Sequence, residues 1–582
     1  MDATLGRMLF RAADLQRATV NFWHAADHIE SWSYEQCVHD ALLVAGALQQ
    51  RGLHRGDRVG IVLPTHADFY RAFFGVILAG GIPAALYPPV RLGKMAVWKA
   101  QTAAMLQAIA CSAVLTDARL YGLLGQPVRQ AALRLGCFTV QELLREAAHG
   151  TYVEAHSHDL AVVQFSSGTT GHPRPIALTH ANILGNAQAI LTSLPGNMSQ
   201  HSGVSWLPLY HDMGLIGCLV SATLAPGPLT LIRPEQFVAR PRVWLEALTQ
   251  SRATISAAPN FAFSLCAERV RDEDLAGLDL SHWQIAFCGA ETVHLQTLQA
   301  FAQRFAPVGF AWRALTPVYG LAEATLAVTM SPVDMPPRIA SFERHALERE
   351  GLAVPAASGI SLTSLGRPIA GVDVEVRDAH GNPAPPQHLG RLWVRGPGVM
   401  HGYFGQPEAT AQVLQEGWCD TGDQGFFYAE DLYLFGRATD IIIIRGRNYD
   451  PAQIEHCLHG IAGLRTGCTV AFGMADLRSG TDRLVVLAEY RAAPSPAEQA
   501  CLEAEIQAAI QASCNLHLSE LVLLPPGTLP RTSSGKMRRR EAWRLWHAEE
   551  LQPPGKAGLP TMLRQTLAGL WAHHKARQER QR

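Results

Sequence analysis

The 582-residue chain predicts an α/β protein. A large N-terminal domain of layered α/β subdomains, with a small β-rich subdomain, precedes a smaller α+β C-terminal domain. Three observations predict this. Helical periodicity alternates with short apolar runs through roughly the first 430 residues, the mark of layered helices on largely parallel strands. Between Val372 and Val394 the pattern changes to short strands broken by turns. After Asp431 a new strand–helix alternation begins. Length agrees, because single cores stop growing at roughly 250–300 residues.

The elements follow in order. Tyr34 to Arg51 reads as an amphipathic helix, Arg58 to Leu63 as a strand and Ala67 to Ala79 as a helix. Leu160 to Val163 reads as a buried strand entering QFSSGTTGHPRP, Gln164 to Pro175. The apolar region Met213 to Ile232 contains Gly214, Gly217, Pro226, Gly227 and Pro228, so a buried helix with its exit turn fits better than a membrane span. PAPPQ at 383–387 lies in the β-rich part. DLYLFGRATDIIIIRGRN, from Asp431, holds two strand-like runs around Gly436-Arg437. The expected domains are 1–437, 438–550 and a basic helical tail at 551–582. Leu563, Leu567, Leu570 and Trp571 fall at helical spacing in that tail, whose basic end reads as a solvated helix.

Composition narrows the function. A net charge of −1 offers no field for nucleic acid, and 48% hydrophobic residues can fill the cores. Eleven cysteines without a CxxC pair suit a reducing cytosol and argue against structural zinc. Asp2 and Asp14 flank an interrupted apolar start that does not read as a signal peptide, so a cytoplasmic protein without a transmembrane segment is expected. Of the 49 basic residues only Lys94, Lys99, Lys536, Lys556 and Lys575 are lysine. A site that keeps lysine in such a chain points to a need for an ammonium rather than a guanidinium.

The stretch from Gln164 carries the chemistry. Ser166, Ser167, Gly168, Thr169, Thr170 and Gly171 present only hydroxyls or no side chain. Backbone N–H groups of such a loop can converge on an anion, and glycine lets the main chain approach phosphate oxygens. The loop is not a Walker A motif, since no Gly-Lys-Ser/Thr follows at the required spacing. Four further motifs lie downstream: VYGLAEAT at Val318–Thr325, CDTGD at Cys419–Asp423, FGRATD at Phe435–Asp440 and RTSSGKMRR at Arg531–Arg539.

In order and spacing these motifs resemble the adenylate-forming (AMP-binding, acyl-CoA synthetase-like) superfamily, from SYEQC at Ser33 to Arg540. The resemblance implies ATP and magnesium. It implies that Ser166–Gly171, with Thr169 among the catalytic candidates, holds the β- and γ-phosphates, and that Glu323 is the magnesium ligand. Tyr319, beside Gly320, would stack on adenine, with Gly289-Ala290 approaching the base through backbone. Asp423 would accept from both ribose hydroxyls, with Arg437 near the sugar. Lys536 is the leading catalytic candidate, reaching the α-phosphate and the substrate carboxylate from a mobile C-terminal domain hinged at Ala438–Asp440. Where most members read Pro-Lys-Gly, this chain has Pro173, Arg174 and Pro175. Arg174 keeps the charge, while Pro175 fixes φ and removes an N–H, so altered loop behaviour is expected.

Four segments resemble fatty acyl-AMP ligases in particular: AALYPP ending at Pro89, WLPLYHDMGLIG at Trp206–Gly217, YGLAEATL, and RGRNYDPAQIE at Arg445–Glu455. SFERHALEREGLAVPA, Ser341–Ala356, resembles the insertion that restrains domain rotation there. This implies a fatty acid substrate, His211 and Met213 at the acyl tunnel, and acyl transfer to the phosphopantetheine thiol of an acyl carrier protein. The alternatives are a coenzyme A ligase, or a non-catalytic acyl-adenylate or ATP sensor.

Overall fold

The computed structural model describes the chain except residues 1–2, 17, 90–93, 147–148, 167–172, 477–480, 533–534, 555–558 and 582. Apolar runs too short for helices become strands buried on both faces. In a small parallel sheet, Ile82–Leu86, Arg58–Val62, Ala113–Thr116 and Gly136–Thr139 lie side by side. Ala113 and Leu115 enter one core and Val114 the other, as the period-two pleat demands. Helices cover both faces, which is why these strands show little polar alternation.

A nine-stranded sheet forms the second layer, in the order Arg367–Pro368, Ala327–Met330, Leu315–Gly320, Ile285–Gly289, Ile255–Pro259, Gly203–Ser205, Leu229–Ile232, Thr19–Ala25 and His28–Ser33. Its inner strands are parallel and its margins antiparallel. Edge-to-face aromatic pairs fill its core, including Trp244–Trp283 and Phe263–Phe301, each with centroids 5.0 Å apart. Such pairs add about 0.5–1.5 kcal/mol each beyond area burial. The run from Met213 departs from expectation at its end. A π-helix, Met213–Val220, and one turn, Ser221–Leu224, give way to the strand Leu229–Ile232. Pro226 and Pro228 cannot continue the helix, and Leu229, Thr230, Leu231 and Ile232 then pair into the sheet. Among the described residues no helix is long and apolar enough to cross a membrane.

The β-rich part pairs Asp373–Arg377, Gly390–Arg395, Trp418–Tyr428 and Asp431–Arg437, all antiparallel. In the C-terminal domain Thr481–Tyr490 lies between Leu464–Asp476 and Leu518–Leu524. Leu484, Val486 and Ala488 pack with Ile506 and Ile510 of the helix Pro496–Cys514. Val485 and Leu487 face Phe472, Leu529 and Ala542 on the other side.

The last helix, Leu559–Gln581, is exposed at its basic end, Arg577 to Glu579, but docked along its middle. It lies along Ala118–Gln130 in the large domain, burying Gly569, Ala572, His573 and Ala576. Leu567, Leu570 and Trp571 face outward. The small residues allow backbones to approach: a Cβ on Gly125 would collide with the Gly569 carbonyl.

Candidate active site

The hydroxyl-rich loop hangs from an antiparallel pair, Leu160–Phe165 and Pro175–Thr179, which sets Phe165 opposite Pro175. Two bonds close its base. Ser166 N donates to the Arg174 carbonyl and Arg174 N to Ser166 Oγ, both at 3.0 Å. Ser167, Gly168, Thr169, Thr170 and Gly171 lie outside the described residues. Pro175 takes the first position of its strand, where a missing N–H is tolerated. Its carbonyl accepts from Phe404 N at 2.7 Å. The Arg-Pro departure thus sits in the stem of the loop.

Glu323 is presented by a 3-10 turn, Ala322–Ala324, directly beyond the strand Leu315–Gly320. A Cβ on Gly320 would collide with the Leu326 carbonyl, so glycine is required there. Thr325 follows at φ 67° and ψ −56°, a γ-turn closed by Leu326 N on the Ala324 carbonyl at 2.8 Å. A β-branched residue at positive φ stores strain of about 1–3 kcal/mol, a feature that clusters at functional sites. Glu323 Oε1 accepts from the Tyr403 hydroxyl at 3.0 Å. Burial raises the Glu323 carboxyl above its ordinary range, opposed by the Tyr403 bond and the Arg437 charge.

The strands Leu315–Gly320, Trp418–Tyr428 and Asp431–Arg437 are tied together in the same cleft. Tyr319 donates from its hydroxyl to Asp423 Oδ2 at 2.8 Å, and Arg437 Nε donates to Asp423 Oδ1 at 3.2 Å. Asp423 and Arg437 are direct partners in the ladder between Trp418–Tyr428 and Asp431–Arg437. A carboxylate offers about four lone-pair sites, so Asp423 retains capacity for further hydroxyl donors. Burial, and then Asp423, push the Tyr319 phenol well above its usual range. Ile285–Gly289 ends at the same cleft, and Ala290 turns the chain at φ 65°.

Lys536 enters from the C-terminal domain. Its loop is held by Thr532 N on the Lys536 carbonyl at 2.7 Å and by Lys536 N on Thr532 Oγ1 at 3.0 Å. Burial lowers its ammonium below the usual lysine range, while Asp212, Glu291 and Asp423 oppose that shift. His211 Nδ1 lies 2.5 Å from Asp212 Oδ1, which also accepts from Met213 N at 2.7 Å. Burial works against ionisation of Asp212, but His211 and Lys536 outweigh it and lower its carboxyl. Glu291 Oε1 accepts from Phe261 N at 2.6 Å.

These groups line one cleft of about 1890 Å³, whose other walls include Trp206, Met213, Val238, Phe261 and Leu265. Its lining combines charged side chains with apolar ones. The structure brings together Ser166, Arg174, His211, Gly320, Glu323, Tyr319, Ala290, Asp423, Arg437 and Lys536 along it, with Gly289 adjoining. Sequence reasoning missed three members. Asp212 and Glu291 each stand beside a residue singled out from the sequence, and a carboxylate inside an apolar run was the available signal. Tyr403 gave none.

The lid, as the C-terminal domain may be termed from its position, touches the large domain at several points. Within 438–550, Arg539 pairs with Glu455 through two nitrogens and with Asp440 Oδ2 at 2.8 Å, tying the expected hinge to the lid, and other contacts reach the large domain. His294 stacks on His456 with centroids 3.8 Å apart. Lys94 Nζ donates to the Thr528 carbonyl at 3.3 Å. Within Ser341–Ala356, Phe342 packs on Phe426 at 5.0 Å, and Arg344 joins Glu348 at 2.8 Å and the Ser513 carbonyl of the lid at 3.0 Å.

Among the described residues no three His, Cys, Asp or Glu side chains form a metal-holding cluster. Glu323 thus belongs to no such cluster, and Asp212 is the other carboxylate that acts on it. That donor set fits magnesium, which is commonly held by one or two carboxylates completed by phosphates and water.

A family model for AMP-binding enzymes matches residues 10–404. A putative acyl-CoA synthetase of Caulobacter vibrioides is 33% identical over 88% of this chain and 90% of its own. The long-chain-fatty-acid–AMP ligase FadD26 of Mycobacterium tuberculosis is also 33% identical, again over 88% and 90%. A structure from a study of fatty acyl-adenylate ligases of E. coli and L. pneumophila superposes with a TM-score of 0.87 at 31% identity, covering 94% of this chain and 99% of that one. The L. pneumophila fatty acyl-adenylate ligase in complex with acyl adenylate and pyrophosphate gives 0.70 at 29% identity, covering 95% and 97%. Sequence, fold and site agree: the chain belongs to the AMP-binding enzyme family.

Proposed function

We propose that this chain is a fatty acyl-AMP ligase. A fatty acid carboxylate oxygen attacks the α-phosphorus of ATP, the bond to the bridging oxygen breaks, and pyrophosphate leaves with the electron pair. The observation that carries this reading is that Lys536, Asp212, Glu291 and Asp423 line one cleft together with apolar side chains such as Trp206, Val238 and Leu265. Two anions must approach each other, so catalysis is chiefly positioning and charge stabilisation. Lys536 serves as the shared cation between α-phosphate and carboxylate. Ser166–Gly171, with Thr169, cradles the outer phosphates, and Arg174 adds charge at the stem. Tyr319 stacks on adenine between Gly289-Ala290 and Gly320, while Asp423 and Arg437 hold the ribose. Glu323 is the residue that would hold magnesium, which when bound neutralises phosphate charge. His211 and Met213 flank the acyl chain.

The acyl group then passes to the phosphopantetheine thiol of an acyl carrier protein: sulfur attacks the acyl carbonyl and gives up its proton to solvent, the bond from the acyl carbon to the phosphate oxygen breaks, and AMP leaves with the electron pair. Supporting this over free coenzyme A is Arg344, which spans from the Ser341–Ala356 segment to the lid. Eleven free cysteines support a cytoplasmic enzyme.

The test is a fatty-acid panel with ATP and magnesium, read by mass for acyl-adenylate, with coenzyme A added in one arm. Acyl-adenylate with little acyl-CoA is expected, and shortening Ser341–Ala356 should raise the acyl-CoA yield. Abundant acyl-CoA from the intact chain would replace the reading with a coenzyme A ligase. No adenylate with any acid would sink both.

A further inference from the structure

We propose that Tyr403 is a positioning residue for Glu323 and that Arg174 acts through it. This rests on the reading above for the role of Glu323. Tyr403 is 80 residues from Glu323 in the chain, yet its hydroxyl donates to Glu323 Oε1 at 3.0 Å. It lies in the two-residue strand Gly402–Tyr403, opposite Ile176 and so one step beyond the loop stem. Its own backbone N–H is held by Thr410 Oγ1 at 2.9 Å. The Arg174 guanidinium carbon lies 5.1 Å from the centre of the Tyr403 ring. One buried ring therefore touches the phosphate-loop stem on one side and the cation-side carboxylate on the other.

The physical argument has two parts. A buried carboxylate takes the orientation its donor imposes, because leaving it without one is costly. A cation over a phenol face draws on the ring and strengthens the hydroxyl as a donor. A planar guanidinium stacks this way more readily than a strongly hydrated ammonium. Arg174 thereby gains a use that depends on its shape as well as its charge, which accounts for arginine at a position where the resembling family has lysine.

Tyr403→Phe removes the hydroxyl and keeps the ring; Arg174→Lys removes the plane and keeps the charge. Calorimetry with ATP plus magnesium, and separately with AMP alone, gives a readout independent of turnover. Tyr403→Phe should weaken magnesium-dependent ATP binding by roughly tenfold and leave AMP binding unchanged. It should lower kcat for adenylation more than it raises KM for the fatty acid. Arg174→Lys should act in the same direction, and the double variant should be no worse than Tyr403→Phe. Unchanged ATP binding, equal loss of AMP binding, or additive losses would overturn the proposal. The binding arm decides this even if the native chain makes no acyl-adenylate, an outcome that would count only against the proposed function.

We also infer, from independent contacts, that the last helix straps the lid to the large domain. His573 Nε2 donates to the Tyr121 carbonyl at 2.7 Å, and the two rings stack 4.2 Å apart. Arg129 pairs with Glu579 at 2.9 Å, and Gly569 seats against the Gly122 carbonyl. The lid is thus joined to the large domain at both of its ends. Twelve residue steps separate His547, the end of the lid helix Arg539–His547, from Leu559. They reach at most roughly 40 Å, so a docked tail bounds how far that helix can swing. Small-angle scattering should show a larger, broader distribution of lid positions for a chain ending at Pro554. The full-length Gly569→Leu variant, which cannot seat the helix, should show the same. Curves superimposable on the native chain would overturn the inference.

Discussion

On the large-domain side of the cleft, Tyr319, Asp423 and Arg437 are tied to one another, and Glu323 to Tyr403, by hydrogen bonds within that domain. On the lid side, Lys536 is fixed by backbone bonds within its own loop, and its ammonium faces carboxylates that belong to the other domain. The first half is preorganised and costs no rearrangement during reaction. The second half exists only while the lid is seated. Under the proposed function, that difference assigns affinity for the nucleotide to the wired side and the chemical step to the side that arrives.

Breaking the arriving half should have the largest effect. Lys536→Ala should lower acyl-adenylate formation by at least about a hundredfold, mostly in kcat, because its charge matters most in the transition state. Lys536→Arg should also be impaired, since a fork does not fit where a point charge does. Pre-steady-state release of pyrophosphate measures both. Next comes Glu323→Gln, which keeps the shape but deletes the charge a hard cation prefers. Turnover should fall by about tenfold and the magnesium titration should shift to higher concentration. Tyr319→Phe sharpens the comparison from the wired side. It leaves the ring and removes the donor to Asp423, so KM for ATP should rise a few-fold with kcat nearly unchanged.

The smallest effect concerns the lid helix that follows the hinge. Asp450 caps the helix Pro451–Cys457 through Ala452 N, and burial pushes its carboxyl up to about 7, with Glu455 and Asp440 adding to the rise and Arg539 opposing it. A carboxyl held above its unfolded value stabilises the fold at low pH, and that contribution is lost as pH rises towards and through 7. Asp450→Asn keeps the cap and cannot ionise. It should raise Tm by roughly 2–4 °C at pH 8 and change it little at pH 4, as scanning calorimetry can show.

Much of this was legible in the sequence because motif residues carry their chemistry locally. Tyr319, Glu323, Asp423, Arg437 and Lys536 were all found from short patterns, and the structure gathers them along one cleft. Strands such as Arg58–Val62 and Leu160–Phe165 were readable from their apolar runs. Tyr403 was not, since its significance lies in a contact 80 residues away. The order of the nine-stranded sheet was hidden as well, because crossover connections rather than local pattern decide which strands pair. The docking of the tail was hidden for a third reason. Its apolar residues Leu567, Leu570 and Trp571 face outward, while the buried face is built from Gly569, Ala572, His573 and Ala576. Close backbone approach, not side-chain bulk, seats that helix.

The central claim is that the seated lid supplies Lys536 to a fatty acid and ATP held in the large domain. Mass detection of acyl-adenylate from a long-chain fatty acid, ATP and magnesium, with native and Lys536→Ala proteins side by side, tests it most directly. Acyl-adenylate from the native protein and almost none from the variant, with ATP binding retained in both, is the predicted result. Adenylate formed by Lys536→Ala within a few-fold of native would contradict the account.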